Sequence, residues 1–370
     1  MLRKMEKLTS KERLKRCFFH EEIDRPAVYL RMYIDPSDKS YDRLRKLAWE
    51  KTDIKMDSGI SMASFKNLHK LLEREESYSE DFKKKIMILK TPKGDLESIQ
   101  YIGLKGQPSY TAKYFIETRE DAEKYLSFEY PKVQGDLTEY FSFKEKVGDR
   151  GIVTAALGEN PGGMVAGLCG TERFAMMSIT DRDILHKIME KRQNFILEMV
   201  KFYHKNGVGP FFWMSGEELI TPPIHSPEDF DDFNARYDKP IIDLVHEIGG
   251  RVHIHCHGKI KKVLYSFLNM GVDVLHPCEA PPMGDVTAKE VKEIVKDKIC
   301  IEGNIQIADM YEKSVDNIIE QTEKLIKDAF SDNKNLIVCP TASPYIFGAG
   351  DKCFDNYKAM VDTVINYSNK

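Results

Sequence analysis

The chain has no long apolar run. Nowhere in its 370 residues do about 18 apolar residues follow one another, so hydropathy offers no membrane-spanning helix. The start, MLRKMEKLTSKERLKRCFF, has no apolar stretch of signal-peptide length, and a soluble cytoplasmic protein is expected. No strand is followed by G-x-G-x-x-G and no G-x-x-x-x-G-K-[ST] occurs, so both nucleotide fingerprints are missing. Acidic residues exceed basic ones only slightly. The formal net charge of −4 gives no general affinity for nucleic acid or for a membrane, and Lys83-Lys84-Lys85 reads as a solvated face. The 7 cysteines are odd in number and without a spacing pattern, which fits a reducing compartment better than a disulfide scaffold. No low-complexity linker divides the chain, so a single domain over residues 1–370 is expected. What is present is globular: 42% hydrophobic and 31% charged residues, in a chain long enough to bury a sizeable core.

Near the start, LTSKERLKRCFF offers Thr9 as an N-cap with Glu12 three residues later, and a helix carrying Leu14, Cys17 and Phe18 should follow. RPAVYLRMY then reads as a strand, followed by a charged, mostly helical stretch to about Tyr78. Between Lys85 and Thr118, short alternating runs broken by PKGD and KGQPS predict antiparallel hairpins. From Gly151 the rhythm becomes strand, then helix, repeatedly. The strands are GIVTAALG, GPFFWMSG, RVHIHCHG, VDVLHPCE, ICIEGNI and NLIVCPTA. One helix between them is marked by Ser226 as N-cap, Pro227 at its first position and Gly249 at its end. Six such strands, RPAVYLRMY and one not yet assigned make an α/β fold, a (β/α)₈ TIM barrel, with a doubly wound open sheet as the alternative. Residues 1–130 or so are the N-terminal helical and β-hairpin extension with the first strand, and about 150–370 the main repeats. The glycine-rich GENPGGMVAGLCGTERF reads as a flexible loop, or as one that touches a ligand.

A barrel of this kind keeps its active site at the C-terminal ends of its strands. The polar residues there are Glu217 and Glu218, His255 and His257, His276, Cys278 and Glu279, Glu302 and Asn304, and Cys339 and Thr341. Strand periodicity puts His253, His255 and His257 of HIHCHG on one face, with Ile254 and Cys256 on the other. If the histidines face the interior, Cys256 faces the helices. Two histidines at i, i+2 on a strand end can share one metal, with Cys339 and Glu218 best placed to complete the shell. Zinc accepts such a mixed nitrogen, sulfur and oxygen set. A polar network without metal fits the same spacing.

In order along the chain, LTSKERLKRCFFHEEIDRPAVYLRM, GEELITPP, HCHGKI, GVDVLHPCEAPPMGDV, ICIEGNIQ and CPTASPY…NYKAMVDT resemble the uroporphyrinogen decarboxylase superfamily over nearly the whole length. The resemblance implies a (β/α)₈ barrel and one of two chemistries. Porphyrinogen decarboxylases carry an Arg-Gln-Ala-Gly-Arg-Tyr stretch that holds substrate carboxylates and use no metal. Here RMYIDP keeps Arg31 at the first arginine but has Asp35 where the second should be, and a carboxylate there repels an acidic substrate. The other branch comprises zinc methyltransferases that work with corrinoid proteins, and carries His-x-Cys and a later Cys before Pro. His255 matches that His, His257 stands at the first Cys, and Cys339 matches the second.

The resemblance therefore implies Zn²⁺ on His255, His257 and Cys339, with Glu218 as a displaceable fourth ligand or as a general acid. It leaves open whether Glu218 or Cys256 completes the metal shell. Imidazole in place of thiolate leaves the metal a stronger Lewis acid, which leans towards demethylation of a methoxylated small molecule. His276 as a catalytic group, and Arg31, Asn304 and Tyr345, with Phe347, would orient or wall the substrate, while Cys278 and Glu279 read as parts of a structural turn. No Asp-x-His-x-x-Gly stands in the chain, so the methylcobamide is expected on a separate corrinoid protein that docks over the barrel mouth. The alternatives are a metal-independent decarboxylase of a non-porphyrin acid and a non-catalytic ligand-binding barrel.

Overall fold

The computed structural model describes residues 6–104 and 108–367. Thr9 caps the first helix as expected: its hydroxyl accepts a hydrogen bond from the Glu12 amide at 3.2 Å. That helix, Ser10–Phe18, buries Leu14, Cys17 and Phe18. The Phe18 ring meets Phe211 edge-on at 5.0 Å, so the helix closes the end of the sheet where the strands begin.

Eight parallel strands form the main sheet: β1 (Ala27–Val28), β2 (Ile54–Ser58), β3 (Gly151–Glu159), β4 (Phe211–Ser215), β5 (Arg251–His255), β6 (Val274–His276), β7 (Cys300–Ile305) and β8 (Leu336–Pro340). From β2 to β8 each strand pairs with its neighbour in chain order, and β8 pairs with β1, so the sheet curls into a TIM-type barrel with helices outside. The two ladder ends, β1 and β2, meet where the Asp53 amide donates to the Val28 carbonyl at 2.8 Å. The strand left unassigned by sequence is β2. RPAVYLRMY contributes only two ladder residues, because its later part turns towards the barrel mouth.

The hairpin region forms a four-stranded antiparallel sheet of Leu72–Ser77, Phe82–Leu89, Leu96–Gly103 and Tyr110–Lys113. It begins earlier than expected, because Leu72–Ser77 joins the ladder and its glutamates form ion pairs with Lys83, Lys84 and Lys85. The lysine run is thus one side of a charged cross-strand pattern. The turn at PKGD is present, while KGQPS includes residues outside the described set.

One expectation is overturned. GENPGGMVAGLCGTERF is no loop: Pro161–Cys169 is a helix, buried along most of its length, with Asn160 capping the Gly163 amide at 2.8 Å. Two of its glycines are there for close packing. A Cβ on Gly162 would lie 2.3 Å from Asn234 Oδ1, and one on Gly163 would lie 2.4 Å from the Gly216 carbonyl oxygen. Ser226 and Pro227 do start a helix, with the Ser226 hydroxyl accepting from the Asp229 amide, though a π-helical turn at Asp231–Ala235 precedes the longer Arg236–Glu247 segment. No helix among the described residues is long and apolar enough to cross a membrane.

Candidate active site at the barrel mouth

Register decides which side chains meet inside the barrel. Trp213, His253 and Val274 stand level on β4, β5 and β6, and Ser215, His255 and His276 stand level one step further towards the mouth. Residues level on parallel strands share a face, so the histidines point inward together while Val252 and Ile254 pack outward. Cys256 is wholly buried in the hydrophobic core, and burial pushes its thiol well above the usual range.

The hydrogen bonds assign the tautomers of His276 and His255. His276 is wholly buried, and burial holds its pKa well below the usual value, so the ring is neutral. Its Nε2 lies 3.2 Å from the Pro340 carbonyl, an acceptor only, so Nε2 carries the hydrogen. Its Nδ1 is then an acceptor, and His255 Nδ1, 2.8 Å away, donates to it. The two rings stack at 5.0 Å and 17°. Burial takes the His255 pKa down to about 2, so that ring is neutral too and its Nε2 keeps a bare lone pair. His257 lies just beyond the strand. Its Nδ1 donates to Glu279 Oε2 at 3.1 Å. The His255 and His257 rings are nearly perpendicular, 4.7 Å between centroids. Burial would raise the Glu279 pKa, but bonds from His257, the Gly258 amide and Gln306 hold it below the usual range.

Cys339 is wholly buried on β8, and burial raises its thiol pKa. Its Sγ belongs to a group with His276 and Glu302 whose ligand-type atoms all lie within 4.8 Å of one another. Two members of that group are already engaged. Both His276 nitrogens are hydrogen-bonded, and both Glu302 oxygens accept from Lys55 Nζ, at 2.5 and 2.6 Å. Burial alone would raise the Glu302 pKa, but Lys55 holds it well below the usual range. The Lys55 pKa falls through its own burial.

The other expected site residues are placed as follows. Arg31 reaches Glu302 Oε1 with Nη1 at 3.4 Å. Glu218 lies in the turn Glu217–Ile220 after β4, with one carboxylate oxygen buried and without a partner among the described residues. Asn304 binds the backbone of Cys278 on both sides, accepting from its amide at 2.9 Å and donating to its carbonyl. It fixes the loop after β6. Thr341 accepts from the Ile307 amide. Tyr345 and Phe347 are exposed on the loop after β8, at 62% and 75%.

Sequence reasoning did not single out Lys55, Asp57 or Trp213. With Arg31, His253 and His255 they line a cavity of about 300 Å³ inside the barrel mouth. Burial raises the Asp57 pKa to about 6, and its carboxylate accepts from the Thr154 hydroxyl. Burial lowers the His253 pKa to about 4. The inward alternation of Lys55 and Asp57 in IKMDS was the available signal, once that stretch is read as a strand.

A family model for uroporphyrinogen decarboxylase matches residues 142–367. Among solved structures, a methyltransferase from Methanosarcina mazei is similar at 13% identity and a TM-score of 0.64, covering 98% of this chain and 99% of that one. A B12-independent methionine synthase from Shewanella sp. W3-18-1 is similar at 12% identity and a TM-score of 0.43, covering 80% and 75%. A D-psicose 3-epimerase from Clostridium cellulolyticum H10 gives 8% identity and a TM-score of 0.35, covering 60% and 79%. No curated protein matches the sequence.

Proposed function

The chain belongs to the uroporphyrinogen decarboxylase family, and from that premise we propose that it is a zinc-dependent methyltransferase, moving a methyl group from a small methoxylated molecule to the cobalt of a separate corrinoid protein. The observation that carries this reading is that His255 and His257 each engage Nδ1 in a hydrogen bond, which leaves Nε2 as the atom that could take a metal. A metal-binding histidine is typically held in this way, with its other nitrogen donating to a carboxylate or a second acceptor.

By chemistry, two imidazoles with the Cys339 thiol as third ligand and Glu218 as a fourth that substrate displaces make a zinc donor set, while the ligand-type atoms that already lie within 4.8 Å of one another among the described residues are those of His276, Glu302 and Cys339. His276 orients His255 instead of binding the ion, because its own nitrogens are both engaged. Glu302 serves Lys55, and freeing it would break a buried ion pair. Zinc in such a site supplies Lewis acidity towards an ether oxygen. In the alternative to that ligand role, a protonated Glu218 is the acid that gives its proton to the departing oxygen. The cavity beside His255 holds the body of the substrate and keeps water from it. The partner reading is supported by exposed apolar side chains on loops at this end of the barrel: Tyr33, Ile224, Met283, Tyr345 and Phe347.

The test is zinc content by elemental analysis, followed by methyl transfer to a reduced corrinoid protein. About one zinc per chain is expected in the parent. His257→Ala and Cys339→Ala should lose it, and His276→Ala should weaken binding by ~10–100-fold without abolishing it. A parent that stays metal-free after incubation with zinc sinks the reading. A second reading, decarboxylation of a non-porphyrin acid, is favoured by Arg31 and Lys55 at the cavity. It requires carbon dioxide release that a chelator leaves untouched.

A further inference from the structure

Asp53 and Val28 join β1 to β2 at the start of the two strands. Beyond Val28 the strands part. The Tyr29 amide still donates to the Val338 carbonyl of β8 at 3.0 Å, but no backbone hydrogen bond joins residues 29–33 to β2 among the described residues. A cavity of about 510 Å³ fills the gap, with Leu30 and Met32 on one side and residues 54–57 on the other.

Alternation along the strand shows where this cavity runs. Successive residues of a strand face opposite sides of the sheet. Lys55 and Asp57 point into the barrel, so Ile54 and Met56 point out towards the helices. A single cavity that touches all four passes around the unpaired edge of β2. It leads from the surface, where Trp49 is 43% exposed, to the interior, where Lys55 is 5% exposed. Tyr33, Lys55 and Asp57 also line the cavity of about 300 Å³ at the barrel mouth, so the two spaces share a wall.

The chemistry of the wall restricts what can lie there. Its outer part is built by Trp49 of the helix Asp42–Lys51, Phe143 of the helix Thr138–Val147, and Met32. The charged groups around it are already engaged. Arg45 donates to the Asp35 and Asp38 carbonyls at 2.7 and 2.9 Å. Lys55 donates to both oxygens of Glu302, and Asp57 accepts from the Thr154 hydroxyl. Lys146 Nζ stands over the Trp49 ring, 5.4 Å from its centre. Cations and an acid thus share the wall, each with its own partner, and a charged ligand finds none. Burying a charge unpaired is costly. What the wall offers is aromatic and aliphatic surface around a space of the size that small organic ligands occupy.

We propose that the β1–β2 seam is a binding site for a neutral aromatic group, and that this site opens into the barrel interior past Lys55 and Asp57. Under the methyl-transfer reading it holds the end of the substrate remote from the methoxy group, and leaves the mouth to the corrinoid protein. That use rests on the reading. The binding stands on the cavity alone.

The chain has two tryptophans, Trp49 in the seam and Trp213 in the inner cavity. Fluorine NMR of the whole protein labelled with fluorotryptophan therefore reads each space by its own signal, assigned with Trp213→Phe. Titration with 2-naphthol should shift the Trp49 signal to saturation. Naphthalene-2-sulfonate, its charged counterpart, should bind at least ~10-fold more weakly. 4-Benzylphenol, which has two rings, should shift both signals with one midpoint. Ala48→Phe, which fills the seam from the helix Asp42–Lys51, should weaken 2-naphthol ~10-fold or more. Phe143→Leu, which keeps the wall apolar but removes a ring, should weaken it ~3-fold. A Trp49 signal that does not move, a shift of Trp213 alone, equal binding of naphthol and sulfonate, or an affinity unchanged in both variants overturns the site. Movement of Trp49 alone with 4-benzylphenol overturns its opening to the interior. Zinc and methyl transfer are not read in this titration. Seam binding in a protein that transfers no methyl group leaves the site and sinks the methyl-transfer reading, and an unmoved Trp49 in a protein that does transfer one sinks the site and leaves the reading.

Discussion

Glu217 and Asp238 are buried acids with no cation bonded to them. Glu217 precedes the proposed acid Glu218 and is wholly buried, and neither of its oxygens has a partner among the described residues. Asp238 accepts from Asn160 Nδ2 at 2.8 Å through one oxygen, and its other oxygen has no partner. Burial, then the charge of Asp238, raises the Glu217 pKa well above the usual range, and burial takes Asp238 to about 8. Both folded-state values lie above the unfolded ones, so the native state holds protons that the unfolded chain gives up. The stability they contribute is complete below ~pH 4 and is lost as pH rises through about 8. Urea melts of the parent should therefore weaken between ~pH 5 and ~pH 8.5. Asp238→Asn keeps the bond from Asn160 and removes the second charge. It should gain on the order of 1 kcal/mol over the parent at the upper pH and little at the lower. A parent whose stability is flat across this range would mean that the pair is ionised, with a cation bound.

At the scale of elements, the helix Pro161–Cys169 tests whether close packing explains its glycines. Gly163 sits against the Gly216 carbonyl, and Gly216 leads into Glu217 and Glu218. Gly163→Ala should cost about 2–3 kcal/mol through overpacking and should also lower activity by moving that turn. Gly167, in the same helix, has nothing within 4 Å of a Cβ position. Gly167→Ala should stabilise by about 0.5–1 kcal/mol. Equal effects in thermal melts would reject the packing argument. The same helix shows where sequence reading stops. Asn160-Pro161 is a good helix start, but five glycines in the surrounding stretch outweigh it until the neighbouring backbone is known. β2 was hidden for a related reason. Its inward residues are Lys55 and Asp57, so a barrel strand reads as a charged segment. The strands with apolar outward faces, β3 to β8, were legible, and so was the shared inward face of His253 and His255. The hydrogen bonds made by His255, His257 and His276 were not, because His276, Pro340 and Glu279 come from other strands and loops.

For the whole molecule, the question is what closes the barrel. β1 has two ladder residues, too few for its hydrogen bonds to hold the seam with β2 alone. Asp53, wholly buried just before β2, joins the two edges. Its amide donates to the Val28 carbonyl, and its Oδ2 accepts from the Val28 amide at 2.9 Å. The same carboxylate pairs with Arg13 of the first helix at 2.5 Å and with Arg25 at 3.1 Å. One side chain thus ties the N-terminal helix, the segment before β1 and the start of β2, which lets an all-parallel sheet close without a long first strand. Asp53→Asn leaves two buried guanidinium groups without this charge and should cost ~3–5 kcal/mol. Asp24→Asn touches Arg13 but not the seam, and leaves Arg13 its bond to Asp53. It should cost less, and should leave amide exchange at Val28 slow. In Asp53→Asn that exchange should rise along with exchange across β2, because the seam opens before the rest of the barrel. If both variants lose the same stability with Val28 equally protected, the ion pairs hold only the helix, and the barrel closes by packing alone.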